Sequence, residues 1–97
     1  MTSISNQPKD AIMEKLRITG ILIKDRIKEA GRTQKVLSEY GHIIRSRMGY
    51  HEVSEEICSR VGTIVLTLGG KIEEQDKMMQ ELQNIGGIEV KEMVFEL

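Results

Sequence analysis

The alternation of hydrophobic and polar residues along the chain predicts four β-strands. Short runs rich in branched aliphatic side chains, which are typical of strands, occupy residues 16–23, 42–48, 60–68 and 88–95. The third run alternates most regularly, because Ile64, Leu66 and Leu68 fall on one face and Val65 falls on the other between two threonines. The alternation of the last run slips between Val90 and Met93, which predicts a bulge or a change of face.

Two other segments carry apolar residues at helical spacing. The stripes are Ile27, Ala30, Val36, Leu37 and Tyr40 in residues 27–40, and Ile72, Met78, Met79, Leu82 and Ile85 in residues 71–84 and just beyond. Gly31 interrupts the first stripe, so we expect this helix to begin near Arg32 or Thr33. Gly41 and the Gly86–Gly87 pair are the predicted helix ends. Residues 49–59 show no clean periodicity and are expected to form a loop.

The order strand, helix, strand, strand, helix, strand predicts an α+β, ferredoxin-like βαββαβ sandwich. It consists of a four-stranded antiparallel sheet with two helices on one face. Residues 15–97 form this domain, and the polar residues 1–14 are expected to be a flexible arm. The opposite face of the sheet is left apolar, with Ile21, Ile23, Val65, Met93 and Phe95 as candidates. A second copy of the sheet is the expected cover, so we predict a homodimer or a tetramer.

Composition narrows the possible functions. The net charge is −1 and aromatic residues make up 3% of the chain, so neither a basic surplus for phosphates nor a platform for base stacking is present. We therefore expect no direct binding to nucleic acid. The single cysteine predicts a cytoplasmic protein without an intrachain disulfide, and the absence of a long apolar run predicts that it does not span a membrane.

Motifs of catalysis are missing from the sequence. Cys58 stands alone, which excludes the Met-x-Cys-x-x-Cys loop of soft-metal carriers. The segment Gly69-Gly70-Lys71 lacks the spacing of a phosphate loop. We expect a protein that is not an enzyme and that has no cofactor.

Two sets of residues are candidate sites. His42, His51 and Cys58 suit nickel, copper or zinc, which makes a metal sensor or carrier the alternative function. The structural alternative is a small apolar cysteine and two solvated histidines. The second set follows the first strand, at Asp25 and Arg26 and on to Gly31, where backbone amides at a helix start could bind an anionic effector.

The alternative for that second set is a solvated cluster of charges. Arg45 and Arg47 alternate along the second strand. They can either contact an acidic partner or an anion, or protect a sheet edge from aggregation.

Three segments resemble a known family. They are Ile21-Leu-Ile-Lys-Asp-Arg26, the run from Val36 to Ile44 followed by Arg47-Met-Gly49, and Ile85-Gly-Gly-Ile-Glu-Val-Lys91. The pattern, which covers about residues 16–95, is similar to that of the iron-only hydrogenase system regulators. The resemblance implies a regulatory domain similar to ACT domains and to the C-terminal domain of the nickel-responsive repressor. It also implies an oligomeric regulator of transcription. We expect this regulatory module to bind a small effector at the subunit interface.

The sequence departs from the repressor in two ways. Val53 stands two positions after His51, where the repressor's His-x-His pair would need a histidine. The arm before the first strand is shorter than the roughly 40–50 residues that a ribbon-helix-helix domain needs. Contact with DNA is therefore expected only through a partner.

Overall fold

The computed structural model describes residues 15–51 and 61–97. The predicted arm, Cys58 and most of the predicted loop lie outside these residues. The elements are β1 (Lys15–Ile23), α1 (Arg26–Glu39), a 3₁₀ turn (Gly41–Ile43), β2 (Ile44–His51), β3 (Gly62–Leu68), α2 (Ile72–Gln83) and β4 (Ile88–Glu96). Within the described ranges, neither α1 nor α2 is long and apolar enough to cross a membrane.

The four strands form one antiparallel sheet in the order β2-β3-β1-β4. The two central strands, β1 and β3, carry the longest aliphatic runs. Ile21 of β1 lies opposite Ile64 of β3 on one side and opposite Val90 of β4 on the other. This topology confirms the predicted ferredoxin-like sandwich.

Helix α1 begins earlier than the sequence predicts. Asp25 is its N-cap, and its carboxylate accepts hydrogen bonds from the amides of Ile27 (3.1 Å) and Lys28 (3.4 Å). The expected start near Arg32 or Thr33 is therefore wrong. A glycine inside a helix costs about 1 kcal/mol relative to alanine, and the cap and the packing of α1 on the sheet outweigh that cost.

Strand β2 is displaced along the chain from its predicted position. Residues 41–43 form a 3₁₀ turn whose last residue, Ile43, is buried, and the strand then runs on to His51. Its last residues belong to the sheet because Gly49 and Tyr50 pair with Ile64 and Thr63 of β3. Cross-strand pairing thus extends the strand where the sequence lacks periodicity.

The core lies between the sheet and the two helices. Its buried side chains are Ile21, Ile23, Ile64, Leu66 and Leu68 from the sheet, Leu37, Met78 and Leu82 from the helices, and Ile43 and Ile85 from the turns. The placement of Ile21 and Ile23 on the uncovered face is therefore wrong. Strand β1 is apolar on both faces, so its pattern does not reveal which face the helices cover.

The apolar side chains of β4 shift from the core face of the sheet to the opposite face, and the strand has no bulge in its pairing with β1. Its pairing with β1 is continuous from Lys15 opposite Glu96 to Ile23 opposite Ile88. The slip in its pattern arises because Val90 packs against the core, whereas Met93 lies on the opposite face.

Candidate functional site: the open sheet face and the α1–β2 cleft

The sheet face turned away from the helices is apolar, and we call it the open face. It carries Leu16, Ile18 and Leu22 of β1, Met48 of β2, Val65 of β3, and Met93 and Phe95 of β4. Val65 is 45% exposed although it lies on a central strand, and Met93 and Phe95 are 56% and 48% exposed. No helix among the described residues covers this face. The predictions for Val65, Met93 and Phe95 agree with the structure.

A depression lies in the middle of the open face. Gly20 on the central strand β1 has no side chain, and a hollow of about 320 Å³ opens there beside Leu22 and Val65. Glu89 and Lys91 of β4 border it, with 3.5 Å between the Lys91 Nζ and a Glu89 carboxylate oxygen. The open face therefore combines projecting apolar side chains with a recess bordered by one charge of each sign.

A second cavity, of about 220 Å³, lies on the helix side of the sheet, and we call it the α1–β2 cleft. One wall is α1, where Arg26, Ala30 and Gln34 are spaced four residues apart and so share one face of the helix. The other wall is β2 at Arg47 and Gly49. The floor includes the buried side chains of Ile23 and Ile64.

The three predicted effector residues have different positions relative to this cleft. Arg26 lines it, whereas the carboxylate of Asp25 caps α1 directly beside it. Gly31 is exposed within α1 and is not among the residues that line the cleft. A Cβ added there would meet nothing within 4 Å.

The structure separates the two histidines of the predicted metal site within one chain. His42 lies before β2 and His51 is its last residue, so the length of the strand separates them by roughly 25 Å. Cys58 lies outside the described residues, as does the side chain of His51. Among residues 15–51 and 61–97, no group of three or more potential ligands could hold a metal ion. A site that used both histidines would need a second copy of the chain.

His42 instead belongs to a polar cluster between the 3₁₀ turn and α2. Its ring nitrogen forms a hydrogen bond with the carboxylate of Glu74, and its ring stacks on Tyr40 with the centroids 6.4 Å apart. The Tyr40 hydroxyl donates to Glu81 at 2.5 Å. This hydrogen bond, with smaller effects of burial and neighbouring carboxylates, raises the pKa of Tyr40 to about 12.

Sequence reasoning misses the depression at Gly20 and the assembly of the α1–β2 cleft. The one signal of the cleft in the sequence is the spacing of Arg26, Ala30 and Gln34 at every fourth position. It does not show which strand faces this side of α1, because that depends on sheet order.

Comparison with known proteins places the chain in a family. The family model described as "TM1266-like: Iron-only hydrogenase system regulator, putative" matches residues 15–92. The chain belongs to this family. Its membership supports a regulatory module and is in keeping with a role other than catalysis. A search of curated proteins gives no match.

Solved structures show the same fold. Protein TM1266 from Thermotoga maritima is similar with a TM-score of 0.70 and 28% identity, over 84% of this chain and 98% of that one. The ACT domain of GTP pyrophosphokinase from Chlorobium tepidum has a TM-score of 0.60 at 16% identity, over 80% of this chain and 96% of the domain. A protein from Thermus thermophilus described as a "putative PII-like signaling protein" has a TM-score of 0.51 at 13% identity, over 86% of this chain and 87% of that one.

Proposed function

We propose that this protein is a self-associating regulatory module of the iron-only hydrogenase system. Two copies pair through their open faces, a small effector controls the pair, and the pair acts on transcription through a partner protein. The observation that carries this proposal is the exposure of apolar side chains across the open face, from Met48 on β2 through Val65 on β3 to Met93 and Phe95 on β4. The description of the family supports the link to the hydrogenase system.

The open face is suited to a second copy of itself. Soluble monomers rarely leave large contiguous apolar patches in water, and two sheets pack face to face at about 10 Å when their apolar sides meet. A two-fold axis makes each copy contact the same surface on the other. Glu89 of one copy can then pair with Lys91 of the other, and a projecting Met48 or Phe95 can fill the recess at Gly20.

The coupling to an effector follows from linkage. A ligand changes the assembly only if it binds one arrangement more tightly than another. Arg26 lies on the α1–β2 cleft, which contacts the helix side of the same strands that form the open face. A ligand there can therefore alter the pairing surface without contacting it.

The pairing is tested by Val65→Arg. Val65 is exposed, so the arginine leaves the fold intact, which circular dichroism verifies, but it places two charges in the interface of the pair. We expect the wild type to show twice the 11.0 kDa chain mass by light scattering, and the variant to show the chain mass. The matched control is Ile27→Asp, which introduces a charge at an apolar residue of α1 that is 77% exposed, and it should remain paired.

A wild-type chain that stays at 11.0 kDa at high concentration would refute the pairing. So would equal effects of the two substitutions.

The regulatory role is tested in cells that carry an iron-only hydrogenase. Deletion of this gene should change the hydrogenase transcript level. The wild type and Ile27→Asp should restore it, and Val65→Arg should not. Unchanged transcripts in the deletion strain would rule out the role in this system, and full restoration by Val65→Arg would show that pairing is not needed.

A further inference from the structure

We infer that the α1–β2 cleft binds a small anion with carboxylate or phosphate groups, and that this anion is the effector of the module proposed above. The role of this anion as an effector rests on the proposed function, whereas its binding to the cleft does not. Two arginines, Arg26 and Arg47, reach the same cavity from different elements. None of the described residues that line the cavity is acidic.

The chemistry of the walls fits an oxyanion. A guanidinium presents paired N–H donors whose geometry matches the two oxygens of a carboxylate or phosphate. Arg26 supplies such a group from α1 and Arg47 from β2, and the amide of Gln34 adds both a donor and an acceptor. The apolar floor at Ile23 and Ile64 favours a short carbon skeleton between or beside the anionic groups.

The size of the cleft limits the ligand. At about 220 Å³ it is smaller than the roughly 300 Å³ at which pockets for drug-sized molecules begin. A phosphate or a short dicarboxylate fits such a space, whereas a nucleotide exceeds it.

Gly49 leaves space at the β2 wall of the cleft because it has no side chain. It lies opposite the buried Ile64 on β3, which places it on the helix side of the sheet together with Arg47. A Cβ at Gly49 would meet nothing within 4 Å. A larger side chain at this position therefore projects into the cleft without disturbing the strand.

Strand β2 connects the cleft to the open face. Met48 lies between Arg47 and Gly49 in sequence and points to the opposite side of the sheet, where it is 71% exposed. An anion held by Arg47 fixes this edge strand, and with it the position of Met48 on the pairing surface. Binding of the anion and pairing of two copies are then linked, and each changes the affinity of the other by the same factor.

Binding is measured by calorimetric titration of the full chain with inorganic phosphate and, separately, with succinate at constant ionic strength. We expect saturable binding of at least one. Arg47→Gln removes one guanidinium and should weaken binding by about tenfold or more. Gly49→Val blocks the cleft with every charge retained and should abolish binding. The matched control, Arg45→Gln, removes the same charge from the same strand, at a residue that packs on Gly69, and should bind as the wild type does.

The outcomes identify the ligand and separate this inference from the proposed function. Binding of phosphate alone assigns a phosphorylated effector, and binding of succinate alone assigns a carboxylic acid. No saturable binding of either below about 10 mM, or equal weakening by Arg45→Gln and Arg47→Gln, would overturn the site.

The pairing of the same samples is followed by light scattering. A chain that binds the anion but stays monomeric would support the anion site and refute the proposed paired module. A paired chain that binds neither anion would refute the site alone.

Discussion

Gly87 is a residue at which both the backbone conformation and the packing disfavour a side chain. Its φ is +84°, and an added Cβ would lie 2.9 Å from a carboxylate oxygen of the buried Glu29. We expect Gly87→Ala to lower the free energy of unfolding by about 1–3 kcal/mol in urea titrations. Gly86→Ala is the matched control, because a Cβ there meets nothing within 4 Å, and it should change stability by less than about 0.5 kcal/mol. Similar losses in both variants would show that neither the left-handed backbone nor the contact with Glu29 limits position 87.

Tyr40 provides a titration that reports on the turn before β2. The hydrogen bond to Glu81 holds the proton on the phenol and raises its pKa to about 12. The folded state thus keeps this proton where the unfolded state loses it, so the contribution of the bond to stability is complete below about pH 10 and is lost as the pH rises through about 12.

Glu81→Gln should bring the pKa of Tyr40 back towards 10, because the accepting charge is gone. Ultraviolet absorbance of the phenolate follows the titration, and the chain has two tyrosines. One of the two transitions should move between the wild type and the variant. Superimposable curves would contradict the hydrogen bond to Glu81.

Single residues also mark how far the sequence predicts the candidate site. Arg26 is an expected effector residue because it follows the first strand, and the structure places it on the cleft. For Arg47, contact with an acidic partner or an anion is one of the two interpretations that the sequence allows, and protection of a sheet edge is the other. Nothing in the sequence shows that these arginines meet, since 20 residues and a helix intervene, and the sheet order decides which strand lies beside α1.

At the scale of elements, the start of α1 depends on its cap. Asp25→Ala removes the acceptor for two amides at the first turn and should cost about 1 kcal/mol of unfolding free energy. Asp25→Asn keeps a side-chain oxygen in the same place and should recover most of this loss. Thermal and urea unfolding, monitored by circular dichroism, measure both variants. An asparagine variant as unstable as the alanine variant would show that the carboxylate's charge, rather than its hydrogen bonds, stabilises the helix.

The elements themselves are predictable from periodicity, but their ends and faces are less so. The order of strands and helices follows from the alternation and the apolar stripes, and so does the fold. The predicted start of α1 is wrong because it takes account of the helix-destabilising effect of Gly31 but not of the N-cap at Asp25. The prediction assigns the wrong face of β1 to the helix side because both faces are apolar. Ile21 and Ile23 lie on one face, and Leu16, Ile18 and Leu22 lie on the other. Only the packed structure distinguishes them.

At the scale of the whole molecule, pairing makes thermal stability depend on concentration. If folded copies associate and unfolded chains do not, mass action raises the melting temperature as the protein concentration rises. The wild type should therefore show a higher Tm at millimolar than at micromolar concentration, measured by scanning calorimetry. Val65→Arg should show one Tm throughout. A wild-type Tm that is independent of concentration would mean that each chain is stable alone.

The placement of β1 beside β4 has a consequence for the path of the chain. Lys15, the first residue of β1, and Glu96, the last residue of β4, are partners in the same ladder, so their Cα atoms are only about 5 Å apart. A peptide of a few residues would join them into a closed ring without moving a strand. Such a ring has fewer conformations to lose on folding, and two proteins fused to the two ends of this fold would be held side by side.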